Sequence, residues 1–304
     1  MSVEMPNNPR AAARSMLIAM LIIGLIDNYV VIIAQHSSLW QFQATRAVLA
    51  IPLIIALSYF GFGSMRPKSL WRVFVRGGLL AAGMFCYFGA LGFMSISLAL
   101  AGLFTSPIFV LLISAFVLKK RIGPRRIAAV AIGFVGILIV IGPNFSDLGW
   151  VVLVPIVGGF LYASGSVATR ALCANETNFS MLWVMFCVQG LFGLIGLMVI
   201  GLIAPEAPSG AEGYILRGWV WPMDEALPWI VVQAFGSVIG VSFLVRAYQE
   251  AEASLVTVFE YSIFVFGPFF AWLLFGETLG WQEIAGIALI SAAGIIIAFR
   301  SEPT

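Results

Sequence analysis

The sequence predicts an all-α integral membrane protein: ten transmembrane helices built as two inverted five-helix repeats. Three observations lead there. Of 304 residues, 61% are hydrophobic and only 10% charged, and the mean hydropathy is +1.04, which leaves too little polar surface to coat a water-soluble globule. The apolar residues fall into runs of about 20, the length at which a helix rising about 1.5 Å per residue crosses a hydrocarbon layer of roughly 30 Å. The basic residues gather on one side of the path that those runs trace.

The spans follow one another with short connections. The first, 15–34, comes after Arg10 and Arg14 and holds a carboxylate, Asp27; the second, 40–60, opens on Trp40 and holds Arg46 and Pro52. Next come 74–93, then 96–118 with Pro107, and, beyond the basic run KKRIGPRR, 125–142. The second half repeats the scheme with 148–172, 180–203, 228–249, 254–275 and 281–299, the fourth of these carrying Glu260 and Pro268. Trp40, Trp71, Trp150, Trp229 and Trp281 stand at span ends, where an indole buries its ring and keeps its N–H in water. Pro107 and Pro268 each remove one helical N–H bond, so kinks are expected in the fourth and ninth spans, and these helices are candidates for bending during gating.

Threading these spans with the N-terminus inside puts fourteen of the sixteen Lys and Arg on the inner side. They are Arg10 and Arg14; Arg66, Lys68, Arg72 and Arg76; Lys119, Lys120, Arg121, Arg125 and Arg126; then Arg170, Arg246 and Arg300. The longest outer loop, 204–227, carries Glu206, Glu212, Asp224 and Glu225 against Arg217 alone. Basic residues near span ends resist translocation. Both termini are therefore expected in the cytoplasm, with the chain in a bacterial cytoplasmic membrane. No short apolar segment with a cleavage site follows Arg14, so the first span is expected to stay.

Cys86, Cys173 and Cys187 all fall within apolar spans, which suggests neither a disulfide framework nor a thiolate metal site. A single His and no HExxH pattern speak against a membrane-embedded metalloenzyme. The lack of a GxxxxGK[ST] segment speaks against ATP-driven pumping, and nothing suggests the charged ring or rigid filter of a channel. What remains is a carrier driven by gradients. No cofactor and no nucleic-acid partner is expected; the expected partners are membrane lipid and a small-molecule substrate, with protons as the candidate coupling ion and no oligomer required.

The duplication shows when the chain is slid on itself. Ser97 falls on Ser254, an offset of 254 − 97 = 157, and the same offset lays Leu98 on Leu255, Phe109 on Phe266 and Gly123 on Gly280. The equivalent loops carry opposite charge: KKRIGPRR at 119–126 is basic and GETLGWQE at 276–283 is acidic. An odd number of spans per half inverts the second half, so residues 1–145 and 146–304 are expected as inverted repeats with a cavity at the midplane between them.

Several stretches taken in order resemble one family over essentially the whole length. They are MLIAMLIIGLIDNYV in the first span, WQFQATRAVLA entering the second, LFTSPIFVLLISAFVL in the fourth, RRIAAVAIGFVGILIVIGP in the fifth, and VFEYSIFVFGPFFAWLLFGETLGWQEIAGIALISAAGIIIA across the last two. The chain is similar to the drug/metabolite transporter superfamily, specifically its EamA-type ten-helix carriers. That resemblance implies two five-helix repeats around a cavity, cytoplasmic termini, and transport of a small metabolite by rocking of helix bundles. The chain departs from the pattern where such carriers usually have a Gly-Glu pair after the fourth span: it has Lys119 and Lys120, although Gly276 and Glu277 keep the pair after the ninth. Some relatives carry a Lys four residues after the first-span Asp, where this chain has Val31.

Ionisable groups inside a membrane are costly and mark function. Asp27 is a candidate proton or substrate-amine site, or else a structural carboxylate paired with Arg46. Gly24 lies three residues earlier on its face, open to close approach. Arg46 can grip a substrate carboxylate, lock the first two helices through Asp27, or snorkel outward past Trp40. Glu260, with Thr257 on its face and Tyr261 beside it, is a candidate proton-exchanging group or an interhelical anchor; the position 157 earlier is Leu103, so the repeat supplies no second carboxylate. A further set follows from helical spacing: Tyr87; Tyr162 with Ser166 and Thr169; Gln189 with Met185; Gln233 with Ser237 and Gly240. One basic and two acidic groups favour an amino acid, a zwitterion or an organic cation as substrate. An uncoupled facilitator or a drug/metabolite exporter is the alternative, and a membrane-embedded enzyme the remote one.

Overall fold

A computed structural model describes residues 8–94, 96–141, 149–276 and 280–298. Among them the protein is all-helical. In chain order the helices are α1 (Pro9–Asp27), α2 (Val30–His36), α3 (Leu39–Tyr59), α4 (Leu70–Ala90), α5 (Ile96–Leu103), α6 (Ser106–Leu112), α7 (Pro124–Ile141), α8 (Leu153–Ala171), α9 (Asn178–Ile203), α10 (Leu227–Glu250), α11 (Ala253–Glu260), α12 (Ile263–Phe275) and α13 (Trp281–Ala298). A π-helical turn, Ile113–Val117, extends α6.

Eight stretches among the described residues are long and apolar enough to cross a membrane; three of them, Pro9–His36, Leu98–Val117 and Ala253–Phe275, each join two of these helices. The expected spans 125–142 and 281–299 coincide with α7 and α13, of 18 residues each. The expected repeat boundary at 145, both chain termini, Glu277 and Arg300 lie outside the described residues.

Helices pair in a regular way: α1 lies on α10, α4 on α8, α3 on α9 and α7 on α13. In addition α11 and α12 run along α1, while α5 and α6 run along α8. Small residues let these pairs close up, as expected where lipid offers no hydrophobic drive between helices. A Cβ added at Gly24 of α1 would stand 3.0 Å from the backbone nitrogen of Gly267 in α12. Asn28 Nδ2 reinforces that crossing by donating to the carbonyls of Gly24 at 2.7 Å and Gly267 at 3.2 Å.

Two of the composite spans break at positions 157 apart. The fourth expected span breaks at Phe104–Thr105, and the ninth at Tyr261–Ser262. In both, a hydroxyl takes a carbonyl from the helical ladder: Thr105 Oγ1 donates to Gly102 O and Ser262 Oγ to Phe259 O, each at 2.7 Å. Such side-chain bonds compete with the helix for its own acceptors. Pro107 stands in the first turn of α6, just after this break, where a missing N–H leaves nothing unsatisfied. Pro268 does lie inside α12, after the break.

Lys119 also echoes the residue 157 positions further on. It has φ 52°, in the left-handed region, and Gly276, 157 residues on, has φ 70° and closes α12. Glycine adopts this conformation freely, whereas a side chain there costs about 1–2 kcal/mol. Lys119 is exposed. Lys119→Gly is therefore expected to stabilise the protein by about 1 kcal/mol, seen as a higher thermal unfolding midpoint in detergent; an unchanged or lower midpoint would contradict the strain.

Polar clamps close the two ends of the bundle. At the basic end, Glu252 between α10 and α11 accepts from Arg126 Nη1 at 2.5 Å and Lys120 Nζ at 3.4 Å. Partial burial works to raise its pKa, but the Arg126 hydrogen bond and the two positive charges win and hold it below the usual 4.5. Glu176 caps the start of α4, accepting from the backbone N–H groups of Lys68 at 2.8 Å and Ser69 at 2.7 Å. Arg76, counted from sequence with the basic loop, is instead fully buried in α4. Its Nε donates to Thr169 Oγ1 at 3.0 Å and its Nη1 to Met181 O at 3.4 Å.

The connection between α9 and α10 folds back over the opposite end. Arg217 donates to the carbonyls that end α2, Ser37 O at 2.6 Å and Gln35 O at 3.2 Å. Gln41 both donates to Val220 O at 2.8 Å and accepts from Val220 N at 2.9 Å. Trp40 Nε1 reaches Ile215 O at 2.7 Å, and Leu39 N reaches Tyr214 O at 2.9 Å.

Candidate functional site

A cavity of about 90 Å³ lies among α1, α3, α4, α8, α9 and α10 and reaches the break between α5 and α6. Asp27, Arg46, Tyr87, Tyr162, Gln189 and Gln233, all singled out by sequence, line it, together with Met185 and Ser237. The rest of the wall is apolar, chiefly Met20, Leu80, Met84, Phe88, Phe104 and Phe186. A mostly apolar hollow with a few convergent polar groups is the usual form of a small-molecule site.

Asp27 ends α1 at the point where the first span breaks. Its Oδ1 accepts from Gln233 Nε2 at 3.1 Å, and the same nitrogen donates to Ile26 O at 3.0 Å. Ser237 Oγ in turn donates to Gln233 Oε1 at 3.1 Å, one turn along α10. The carboxylate is thus held from α10 by an amide.

Arg46 is bound otherwise than expected. Among the described residues no carboxylate lies within 4.0 Å of it, so the pairing with Asp27 weighed from sequence is not made. Its Nη2 donates to Gln43 Oε1 at 2.7 Å and Gln189 Oε1 at 3.0 Å. Phe42, Phe88 and Phe186 surround the guanidinium at 4.9, 5.3 and 5.8 Å from their ring centroids. Nor does it snorkel outward: it is 4% exposed. Rings and amide oxygens soften the burial of the charge, and among the described residues no carboxylate makes contact with it.

Glu260 forms a second polar centre behind the cavity wall. It is wholly buried at the end of α11. Its Oε1 accepts from Tyr248 OH at 2.6 Å and Tyr162 OH at 3.3 Å, and Thr257 Oγ1 lies 3.5 Å from its Oε2. Tyr162 links the two centres, since its ring lines the cavity while its hydroxyl faces Glu260. Tyr261 turns away from the cavity, its ring filling the space over Gly133 of α7. Ser166 and Thr169, on the face of α8 that carries Tyr162, are buried but are not among the residues lining the cavity. Among the described residues no group of three His, Cys, Asp or Glu is placed to hold a metal.

The EamA-like transporter family matches this chain twice, over residues 11–142 and 149–300. The chain belongs to the EamA-like transporter family. Among the relatives of this EamA protein is a riboflavin transporter of Rhizobium johnstonii, 26% identical over 86% of this chain and 80% of the relative. An S-adenosylmethionine uptake transporter of Rickettsia prowazekii is 21% identical over 84% and 80%. A pseudopaline exporter of Pseudomonas aeruginosa is 29% identical over 83% of each chain. A solved crystal structure matches with a TM-score of 0.76 at 19% identity, covering 96% of this chain and 99% of the other, which shows a common fold. The resemblance to drug/metabolite transporters therefore holds: this EamA protein is an integral membrane transporter, not an enzyme.

Sequence reasoning missed Tyr248 and Tyr214. Tyr248 looks like an ordinary aromatic near a span end, and only its position 12 residues before Glu260 hints at a meeting across the turn between α10 and α11. Tyr214 stands in a loop whose composition signals exposure, yet it is 0% exposed.

Proposed function

We propose that this EamA-family protein is a secondary carrier. It moves a small polar organic molecule across the bacterial cytoplasmic membrane by alternating access through the cavity that holds Asp27 and Arg46. The observation that carries this is the separation of the two charges: each faces one cavity, and each is held by amides rather than by the other. Two charges that satisfied each other would be a structural lock. Two charges held apart await a ligand.

Ten helices in two inverted repeats, 1–145 and 146–304, would account for several features together: the doubled family match, the 157-residue offset of the helix breaks, and the α1/α10 pairing mirrored in α8/α4. Rocking of one repeat against the other would open the cavity to each side in turn. The basic end is assigned to the cytoplasm, with both termini there. Relatives named for riboflavin, S-adenosylmethionine and pseudopaline share an organic cargo with polar groups, and they include both uptake and export. Export is accordingly the second reading of direction, and Glu260 is the candidate site of proton coupling.

Two measurements test this reading. In proteoliposomes loaded with a pool of unlabelled amino acids and related zwitterions, a labelled member is expected to accumulate transiently by counterflow. On a background lacking Cys86, Cys173 and Cys187, an impermeant maleimide is expected to label Glu212→Cys in intact cells, and Lys120→Cys only after permeabilisation. No counterflow with any member of the pool would remove the carrier reading, and the reverse labelling pattern would invert the topology.

A further inference from the structure

The guanidinium of Arg46 is nearly sealed from water and lacks a counter-ion among the described residues. Burying an unpaired charge is among the costliest arrangements a protein can hold. What surrounds it is specific. Arginine only donates, so Gln43 and Gln189 must both turn their oxygens to it, and their NH2 groups then face elsewhere. Among the described residues Gln43 Nε2 is left with no partner, as is Arg46 Nε. Tyr87 OH and Tyr214 OH, both buried, have none among the described residues either. Tyr87 and Arg46 line the transport cavity.

Tyr214 belongs to the lid over the bundle and is tied by its backbone to the start of α3. Its carbonyl is fixed by Leu39 N at 2.9 Å, and Leu39, Gln43 and Arg46 follow one another at helical spacing on one face of α3. Burial pushes the Tyr214 phenol up, while the positive charge of Arg46 pulls it the other way, as expected of a ring lying within that charge's field. The neighbouring clamps from Trp40, Gln41 and Arg217 hold the loop so that the phenol stays inward.

We infer that Arg46 and Tyr87 form a carboxylate-binding subsite of the transport cavity, that Gln43 and Tyr214 stand behind its lining with buried donors to spare, and that Tyr214 is a specificity-determining residue supplied by the α9–α10 connection. The inference rests on the carrier reading and narrows its substrate to molecules bearing a carboxylate. Two N–H donors and two hydroxyls, with one positive charge, suit an anion of one unit. A phosphate monoester, near −2 at neutral pH, would leave charge unbalanced. A cation lacking a carboxylate would meet the positive charge of Arg46 at this subsite.

Purified full-length protein, titrated with L-amino acids and short hydroxy acids and with the carboxamide of each, is the test. Ligands that bind the folded state raise its unfolding midpoint. Acids are expected to raise it and carboxamides not. In Tyr214→Phe, affinity for the acids is expected to fall about tenfold, the worth of a hydrogen bond to a charged group. The ligand-free midpoint should not fall, because the deleted hydroxyl has no partner to lose; Tyr87→Phe should behave alike. Carboxamides binding as well as their acids, or Tyr214→Phe keeping wild-type affinity, would overturn the subsite. Binding of amines without acids would overturn it too, while leaving the carrier reading intact. Absence of counterflow strikes the carrier reading instead.

Discussion

Asp27→Asn is expected to cut transport by about 100-fold or more while the protein still inserts and folds. Asparagine keeps the volume and one oxygen, so Gln233 Nε2 can still donate to position 27, and that nitrogen keeps its second bond to Ile26 O. What disappears is the negative charge at the end of α1, where it faces the cavity. Losing one side of a desolvated charged contact is worth roughly 3 kcal/mol, which sets the expected factor. Initial rates in proteoliposomes measure it, with size-exclusion profiles and unfolding midpoints as the control for folding. A variant transporting at the wild-type rate would make Asp27 a structural carboxylate. A variant that fails to fold would show that the Gln233 contact needs the charge, and Asp27→Glu would then separate charge from shape.

Much of this architecture is legible in the sequence because a membrane imposes few options. A backbone crossing hydrocarbon must satisfy itself, so each long apolar run declares a helix. Charge inside such a run declares a cavity or a pair, and that argument found Asp27, Arg46 and Glu260. It could not choose between the alternatives for Arg46, since the choice depends on which neighbouring helices face it. Gln189, 143 residues away on α9, takes the guanidinium that Asp27 was a candidate to hold. Pro107 stands directly after the break in the fourth span, in the first turn of α6, where the N–H that proline lacks is not needed, and the Thr105 hydroxyl bonds back to Gly102 O at the same break. The Tyr261 expectation rested on adjacency to Glu260, yet neighbours in a helix point about 100° apart, and its ring lies over Gly133. Tyr214 was out of reach altogether: nothing in a Gly- and Glu-containing loop says that it folds back and buries a phenol.

Glu260→Gln is expected to separate two activities that a structural residue would lose or keep together. Exchange of labelled substrate between two loaded compartments should persist, while accumulation driven by a pH gradient should fall to the level of facilitated diffusion. Exchange needs the carrier to cycle loaded in both directions but moves no net proton; accumulation needs a group that picks up a proton on one side and releases it on the other. Glu260 is suited to that because its partners are hydroxyls of Tyr248, Tyr162 and Thr257 rather than a fixed cation. A hydroxyl both donates and accepts, so the same three groups satisfy the carboxylate and the carboxylic acid, and neither state is locked in. Tyr162 carries the consequence to the cavity it lines, since a change at Glu260 changes which way its hydroxyl must turn. Leu103, 157 residues earlier, offers no carboxylate as a substitute. Proteoliposomes with imposed pH gradients decide the matter. Gradient-driven accumulation in Glu260→Gln equal to that of the wild type would take Glu260 out of coupling, and equal loss of exchange and accumulation would make it an anchor between α8, α10 and α11.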